Sequence, residues 1–315
     1  MYKYKHIPYY RSLKAILYNV ITTQQEIKMK DYCLFTDSSC DLSPALLNEW
    51  SVHSESLTFR FDNDDNEYHN GDMASAVFYQ NMRDGMVAKT AAVNVTIFEQ
   101  AFEALLKEGK DILYIGFSSG LSTTYNSARL AAEELKQKYP ESKIYTVDSL
   151  SASAGCALLI DAVMERKKNG ATIEEARDFA ESIKLNVCHW FTVDDLVYLK
   201  RGGRVSPTTA FVGNMLGIKP ILHVDNDGHL VNVSKARGRR AAITALCDKY
   251  GELAKVQGTK AFISHADCIA DAELLADMLK EKYGANTELI TDVGPVIGAH
   301  SGPGTIALFF IGKER

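Results

Sequence analysis

The 315 residues contain no C-x-x-C pair and no Cys/His cluster at ligand spacing. The six cysteines (Cys33, Cys40, Cys156, Cys188, Cys247 and Cys268) stand far apart. That argues against a disulfide framework or a structural zinc site, and for reduced thiols in the cytoplasm. No apolar run approaches the ~18 residues that a membrane helix needs. No G-x-x-x-x-G-K-[ST] occurs, so the chain has no Walker loop of its own for nucleotide phosphates. Positive charge is also scarce in the body of the chain. Lys and Arg number 35 against 40 Asp and Glu, for a net −5, and six of those bases face one acid within residues 1–30. Residues 31–315 therefore carry −10, which repels phosphate backbones and argues against a nucleic-acid partner.

What the chain does have is an ordinary globular composition, 46% hydrophobic and 10% aromatic, enough to build a sizeable core. Residues 1–30 read as a basic N-terminal extension, helical through Leu13–Val20, whose charge suits transient contact with a membrane surface. From Tyr32 onward, strand, loop and helix alternate. Tyr32–Thr36, Glu55–Phe61, Asp111–Phe117 and Lys143–Val147 read as strands. The recurrence of Phe98, Ala101, Phe102, Leu105 and Leu106 marks one of the intervening helices. This pattern predicts a parallel sheet wrapped by helices, a three-layer α/β domain over residues 31–182. A helix through Ile173, Ala176 and Ala180 leads onward. Residues 183–315 mix helices with the hairpin Ile218–Val224/His229–Val233, whose Asp225-Asn226-Asp227-Gly228 turn has the right chemistry, and so predict a mixed-sheet α/β domain.

In an open parallel sheet, ligands collect at the carboxyl ends of the strands. Three hydroxyl-rich loops fall there, Asp37-Ser38-Ser39, Ser118–Thr124 and Asp148–Ser151, with Lys89-Thr90 as a fourth candidate. Hydroxyls and N–H groups at helix starts suit an anion, although each loop also reads as ordinary helix capping. Gly116-Phe117-Ser118-Ser119-Gly120 fits the G-x-S-x-G nucleophile elbow, and His300 follows in triad order. A serine hydrolase using Ser118 and His300 is thus the alternative reading, though no HGGG-like oxyanion loop precedes the elbow. Gly302-Pro303-Gly304 precedes a strand and fails the context of a dinucleotide loop. Two basic clusters, Lys200–Arg204 and Lys235–Arg240, could grip a phosphate or dock an acidic partner.

Taken in order, Asp37-Ser38-Ser39, Ser118–Tyr125, Val147-Asp148-Ser149, Gly202-Gly203-Arg204, Gly217-Ile218-Lys219-Pro220 and above all Gly294–Gly304 give the chain from residue 31 to its end a family likeness. It resembles the DegV family of bacterial fatty-acid-binding proteins. The resemblance implies a two-domain α/β protein that is not itself an enzyme and uses no cofactor. Such a protein buries a long-chain fatty acid between its domains and presents the carboxylate to a separate ATP-binding fatty acid kinase subunit. Motif matching then puts Thr90 and Ser118 on the carboxylate with Ser119 beside them, and His300 near that head group in a flexible Gly298–Gly304 loop. Arg204 and Arg237 would lie on the rim, facing the kinase or the phosphate. Where the family reads Ser-Gln-Pro after the matching threonine, this chain has Ala91-Ala92-Val93, which leaves the pocket more apolar there.

Overall fold

A computed structural model describes residues 31–205 and 217–315; the expected helix at Leu13–Val20 lies outside the described residues. The first half opens with β1 (Tyr32–Asp37), α1 (Pro44–Trp50), β2 (Val52–Glu55), β3 (Thr58–Phe61) and β4 (Tyr68–His69). It continues through α2 (Ser75–Arg83), β5 (Ala88–Ala91), α3 (Val95–Lys107), β6 (Asp111–Gly116), α4 (Thr124–Lys138) and β7 (Ile144–Asp148). Two helices, α5 (Ala154–Lys168) and α6 (Ile173–Ile183), lead to the second half. There β8 (Val187–Thr192), α7 (Val197–Arg201), β9 (Ile218–Val224), β10 (Leu230–Arg237), α8 (Arg239–Leu253) and β11 (Lys260–His265) follow. The chain closes with α9 (Ile269–Tyr283), β12 (Asn286–Asp292), α10 (Pro295–Ser301) and β13 (Ile306–Ile311).

The four-stranded sheet runs β2-β1-β6-β7 and is parallel throughout. Its strands β1 and β6 are buried at every position, as an apolar run covered on both faces requires. One face is covered by α3 and α4, which bring Phe98, Phe102, Ala128 and Ala132 onto Phe35, Ile112 and Tyr114. The other is covered by α5. The six-stranded sheet runs β10-β9-β8-β13-β11-β12 and is mixed, with only β11 and β12 parallel. Its outer face packs under α8 and α9 through Ile243, Leu246, Leu275 and Leu279. The α/β class with a parallel sheet followed by a mixed one is therefore as expected.

The first two turns of helix α5 are apolar all round, which marks a segment with no solvent face, and most of its charged residues gather in the exposed last turn. Residues 154–161 are all buried, and Leu158, Leu159 and Val163 share one core with Leu113 and Val147 of the parallel sheet and with Val187, Phe191 and Phe309 of the mixed one. It is thus a layer common to both sheets.

One sequence expectation needs correcting. Glu55–Phe61 is not a single strand: β2 ends at Glu55 and pairs with β1, whereas β3 starts at Thr58 and pairs antiparallel with β4 and β5 in a separate three-stranded sheet. The alternation Leu57, Phe59, Phe61 belongs to that second sheet. Phe59 and Phe61, with Phe78, Tyr79 and Met82 of α2, pack against Val293 and Ala299 around α10, which joins this small module to the second half.

Candidate functional site

The three hydroxyl loops do meet at the carboxyl ends of β1, β6 and β7, but largely to hold one another. Buried Asp37 accepts from the Tyr114 hydroxyl (2.6 Å), the Phe117 amide (3.0 Å) and the Ser39 amide (3.1 Å). Burial still pushes its carboxyl above the usual range, against the lowering effect of those bonds. The Ser149 hydroxyl donates to the Gly116 carbonyl at 2.6 Å, and the Ser118 amide to the Ser151 carbonyl at 3.0 Å. Ser118 is fully buried; its Oγ donates to the Gly228 carbonyl (2.9 Å) in the β9–β10 turn and accepts from the Gly120 amide (3.2 Å). Gly228 has φ +79°, and a Cβ there would come within 2.2 Å of that hydroxyl, so the close approach depends on glycine.

Beside these loops lies a cavity of about 500 Å³, within the size range of small-molecule sites. Its walls are mostly apolar, with Leu57, Phe117, Phe191, Val224, Leu230 and Phe309 drawn from both halves. Exposed Ala91, Ala92, Ser119 and Thr123 mark its mouth. Half-buried Thr90 and His300 are hydrogen-bonded there, Oγ1 to Nε2 at 2.8 Å. Thr90 stands on strand β5, opposite Phe59 of β3, and not in a loop. His300 stands in the last turn of α10, which Pro295 starts at a position suited to proline, and not in a flexible loop.

Desolvation, with the neighbouring Arg204 second, lowers the His300 pKa to about 4, so its ring is neutral at physiological pH. Its Nδ1 is buried without a hydrogen-bond partner, and a Cβ at Gly202 would fall 2.1 Å from it. That contact explains the glycine that follows α7. Arg204, placed on the rim by sequence, is half-buried and lines the cavity. Its Nε and Nη2 donate to the Leu121 carbonyl at 3.2 and 3.0 Å, and its Nη1 to the Gly202 carbonyl. These partners are neutral, and burial is the one cause that lowers its pKa. Among the described residues the guanidinium charge at the mouth therefore has no carboxylate against it.

The structure thus gathers Thr90, Ser119, Arg204 and His300 around one cavity. It does not gather Ser118, whose hydroxyl faces the hairpin turn, or Arg237, which stands exposed at the end of β10. Ser118 and His300 are not hydrogen-bonded to each other; their bonds go to Gly228 and Gly120 and to Thr90 respectively. Sequence reasoning missed Asp41 and Asn70. The Gly294 amide donates to Asp41 Oδ1 (3.0 Å) and the Val296 amide to Asn70 Oδ1 (2.9 Å). A helix start with glycine at its cap and no polar side chain of its own is the signal that could have prompted a search for such partners.

A parallel sheet and a mixed sheet sharing a buried helix, with a mostly apolar cavity whose lining includes His300, Thr90 and Arg204, define an α/β protein built around an internal hollow. A family model described as "Uncharacterised protein, DegV family" matches residues 32–313. A DegV domain-containing protein of Clostridium perfringens is 41% identical over 291 residues, 91% of this chain and 99% of that one. The protein described as "Fatty acid-binding protein" from Thermotoga maritima is 37% identical over 244 residues, covering 76% of this chain and 82% of its own. Among solved structures, a DegV lipid binding protein of the same organism superposes with a TM-score of 0.80 at 31% identity, covering 90% of this chain and 99% of that one. The chain belongs to the DegV family.

Proposed function

We propose that this protein binds one long-chain fatty acid in the cavity between its two sheets, with the carboxylate at Arg204, Thr90, Ser119 and His300. The carrying observation is the pairing of a mostly apolar hollow of about 500 Å³ with a half-buried guanidinium whose partners among the described residues are carbonyl oxygens. A sixteen-carbon chain would withdraw about 14 methylenes from water, worth ~11 kcal/mol before ordering costs at ~0.8 kcal/mol each. An anion drawn in with it needs charge and hydrogen bonds, because a lone buried charge is costly. Arg204 supplies the charge, since His300 is neutral in the empty site. Fatty-acid binding in the Thermotoga relative supports the reading.

In this reading the chain is a cytoplasmic substrate-presenting subunit rather than a complete enzyme. A separate ATP-binding kinase subunit would phosphorylate the carboxylate at the mouth, and exposed Arg237 would lie on the face that meets that partner. The sequence supports the division of labour by having no Walker loop of its own. Organic extraction and mass spectrometry of the purified protein provide the direct test, with about one fatty acid per chain expected. A lipid-free preparation that also fails to take up palmitate or oleate would remove the proposal. The presentation step is tested by acyl phosphate formation when kinase, ATP and Mg²⁺ are supplied.

A further inference from the structure

Helix α10 carries His300, yet its own sequence cannot hold it in place. Its cap is Gly294, and no side chain of the helix satisfies its first amides. Partners come from the other half of the chain. Asp41, in the loop after β1, accepts from the Gly294 amide through Oδ1 (3.0 Å), and its carbonyl accepts from Thr291 Oγ1 (2.9 Å). Its Oδ2 accepts from Ser153 Oγ (2.5 Å), which lies 2.9 Å from Ser264 Oγ at the end of β11. Asn70 takes the Val296 amide. Asp41 is 5% exposed and sits at φ +55°, a left-handed conformation uncommon for a residue with a side chain. The backbone there is held in a costly conformation that points a carboxylate at the start of α10.

We propose that Asp41 is a positioning residue for the ligand head group, its carboxylate seating helix α10 against the first half and so holding His300 opposite Thr90. The inference rests on the fatty-acid reading for its consequence, but its geometry does not. A carboxylate at a helix start satisfies orphan amides and suits the positive end of the helix dipole. Losing it frees the end of α10 nearest Val293 and Val296, both of which line the cavity. His300, five residues further on, would then lose its fixed distance to Thr90.

Among the described residues, the groups that donate to the Asp41 carboxylate, the Ser153 hydroxyl and the Gly294 amide, are neutral. Asp37 and Cys40 face it from its own segment, Asp292 from the end of β12 and Tyr79 from α2, with His265 on β11 at 3.6 Å from Asp292. Burial, the largest cause, and the repulsion of Asp292 and Asp37 raise its pKa to about 7. Ser153 has one proton for two neighbours. An ionised Asp41 accepts that hydroxyl's hydrogen bond; a protonated Asp41 donates to Ser153, whose hydroxyl then donates to Ser264. The seat therefore survives either protonation state, and asparagine can imitate the protonated one.

The test follows the His300 ring by NMR together with palmitate affinity in Asp41→Ala, Asp41→Asn and Gly294→Ala. A Cβ at Gly294 would stand 2.5 Å from Asn70 Nδ2 and 2.8 Å from Asp41 Oδ1, so the last variant disturbs both side chains that hold the start of α10 without deleting the acid. The expected result is a His300 pKa that rises from about 4 toward 6.5 in Asp41→Ala and Gly294→Ala as the ring leaves its dry seat. Palmitate affinity should fall about tenfold in both, with Asp41→Asn close to the wild type in both readouts. An unchanged His300 titration in the folded variants would overturn the proposal, even if they were less stable. Should Asp41→Ala not fold, Gly294→Ala decides by the same criterion. If the wild type itself binds no palmitate, the fatty-acid reading falls while the His300 titration still decides the role of Asp41.

Discussion

The two walls of the mouth differ in what they have left to offer a ligand. The wall built by the loops of the parallel sheet is rich in hydroxyls, but most of them are occupied. Ser118 holds the hairpin turn, Ser149 holds the β6 carbonyl end, and Ser153 serves Asp41. The wall built by the second half has few polar groups, and those are underused. Among the described residues Arg204 bonds only carbonyls, and His300 keeps one ring nitrogen without a partner. Hydroxyl density at strand ends thus marks a well-braced framework, whereas unspent charge and hydrogen-bonding capacity mark where the proposed carboxylate would be received.

The largest effect expected from this contrast lies at Arg204. Replacing it by glutamate sets a carboxylate against the ligand's own, and fatty-acid affinity should drop about a hundredfold, the scale of a lost charged hydrogen bond of ~3 kcal/mol. Calorimetry or displacement of a fluorescent fatty acid measures it. A change of less than threefold would mean that the second wall does not supply the charge.

Next in size is a pH effect that separates Asp41 from His300. The Asp41 carboxyl, at about 7 when folded against an ordinary 3.8, adds stability that is complete below pH 3.8 and lost as pH rises through 7. His300, at about 4 against an ordinary 6.5, adds stability that is present above 6.5 and lost as pH falls through 4. Between about pH 4 and 6.5 the two slopes oppose each other. Asp41→Asn leaves only the second, so its melting temperature should fall more steeply on acidification than that of the wild type. Parallel profiles would show that Asp41 does not titrate in this window.

Ser118→Ala should act mainly on stability. It leaves the Gly228 carbonyl without a donor and the Gly120 amide without an acceptor, costing ~1–3 kcal/mol, with fatty-acid affinity within about threefold of wild type. A tenfold loss of affinity with unchanged stability would return Ser118 to the carboxylate site. The smallest expected change in acyl binding belongs to Arg237→Glu, because that side chain stands outside the cavity. What it should slow is acyl phosphate formation with a supplied kinase, more so at low salt.

The sequence carried the strands of both sheets except β2, because uninterrupted apolar runs such as Ile112–Ile115 and Ile306–Ile311 are local patterns. It also carried the hairpin turn at Asp225–Gly228 and the residues Thr90, Arg204 and His300 as candidates. It did not carry direction. Nothing local says whether the Ser118 hydroxyl faces a ligand or the Gly228 carbonyl, since the deciding partner lies 110 residues away. Asp41 reads as the residue before a helix start, with Ser43 capping and Pro44 opening α1 as expected. Its larger role depends on Gly294, 253 residues further along. The small β3–β4–β5 sheet was missed for the same reason. Its core partners are on α10, so the period along Leu57–Phe61 revealed burial but not the surface that buries it.

Helix α5 bears on how a ligand could enter or leave. Because its side chains fill the cores of both sheets at once, swinging the two halves apart would strip its apolar turns and expose them to water. Under the proposed function, ligand traffic would therefore pass at the rim, where α10 and the β9–β10 turn are held by side-chain hydrogen bonds, rather than by a clamshell opening. The same shared layer makes the chain from Tyr32 onward one cooperative body: heat should melt both sheets in a single transition, with no half surviving the loss of the other.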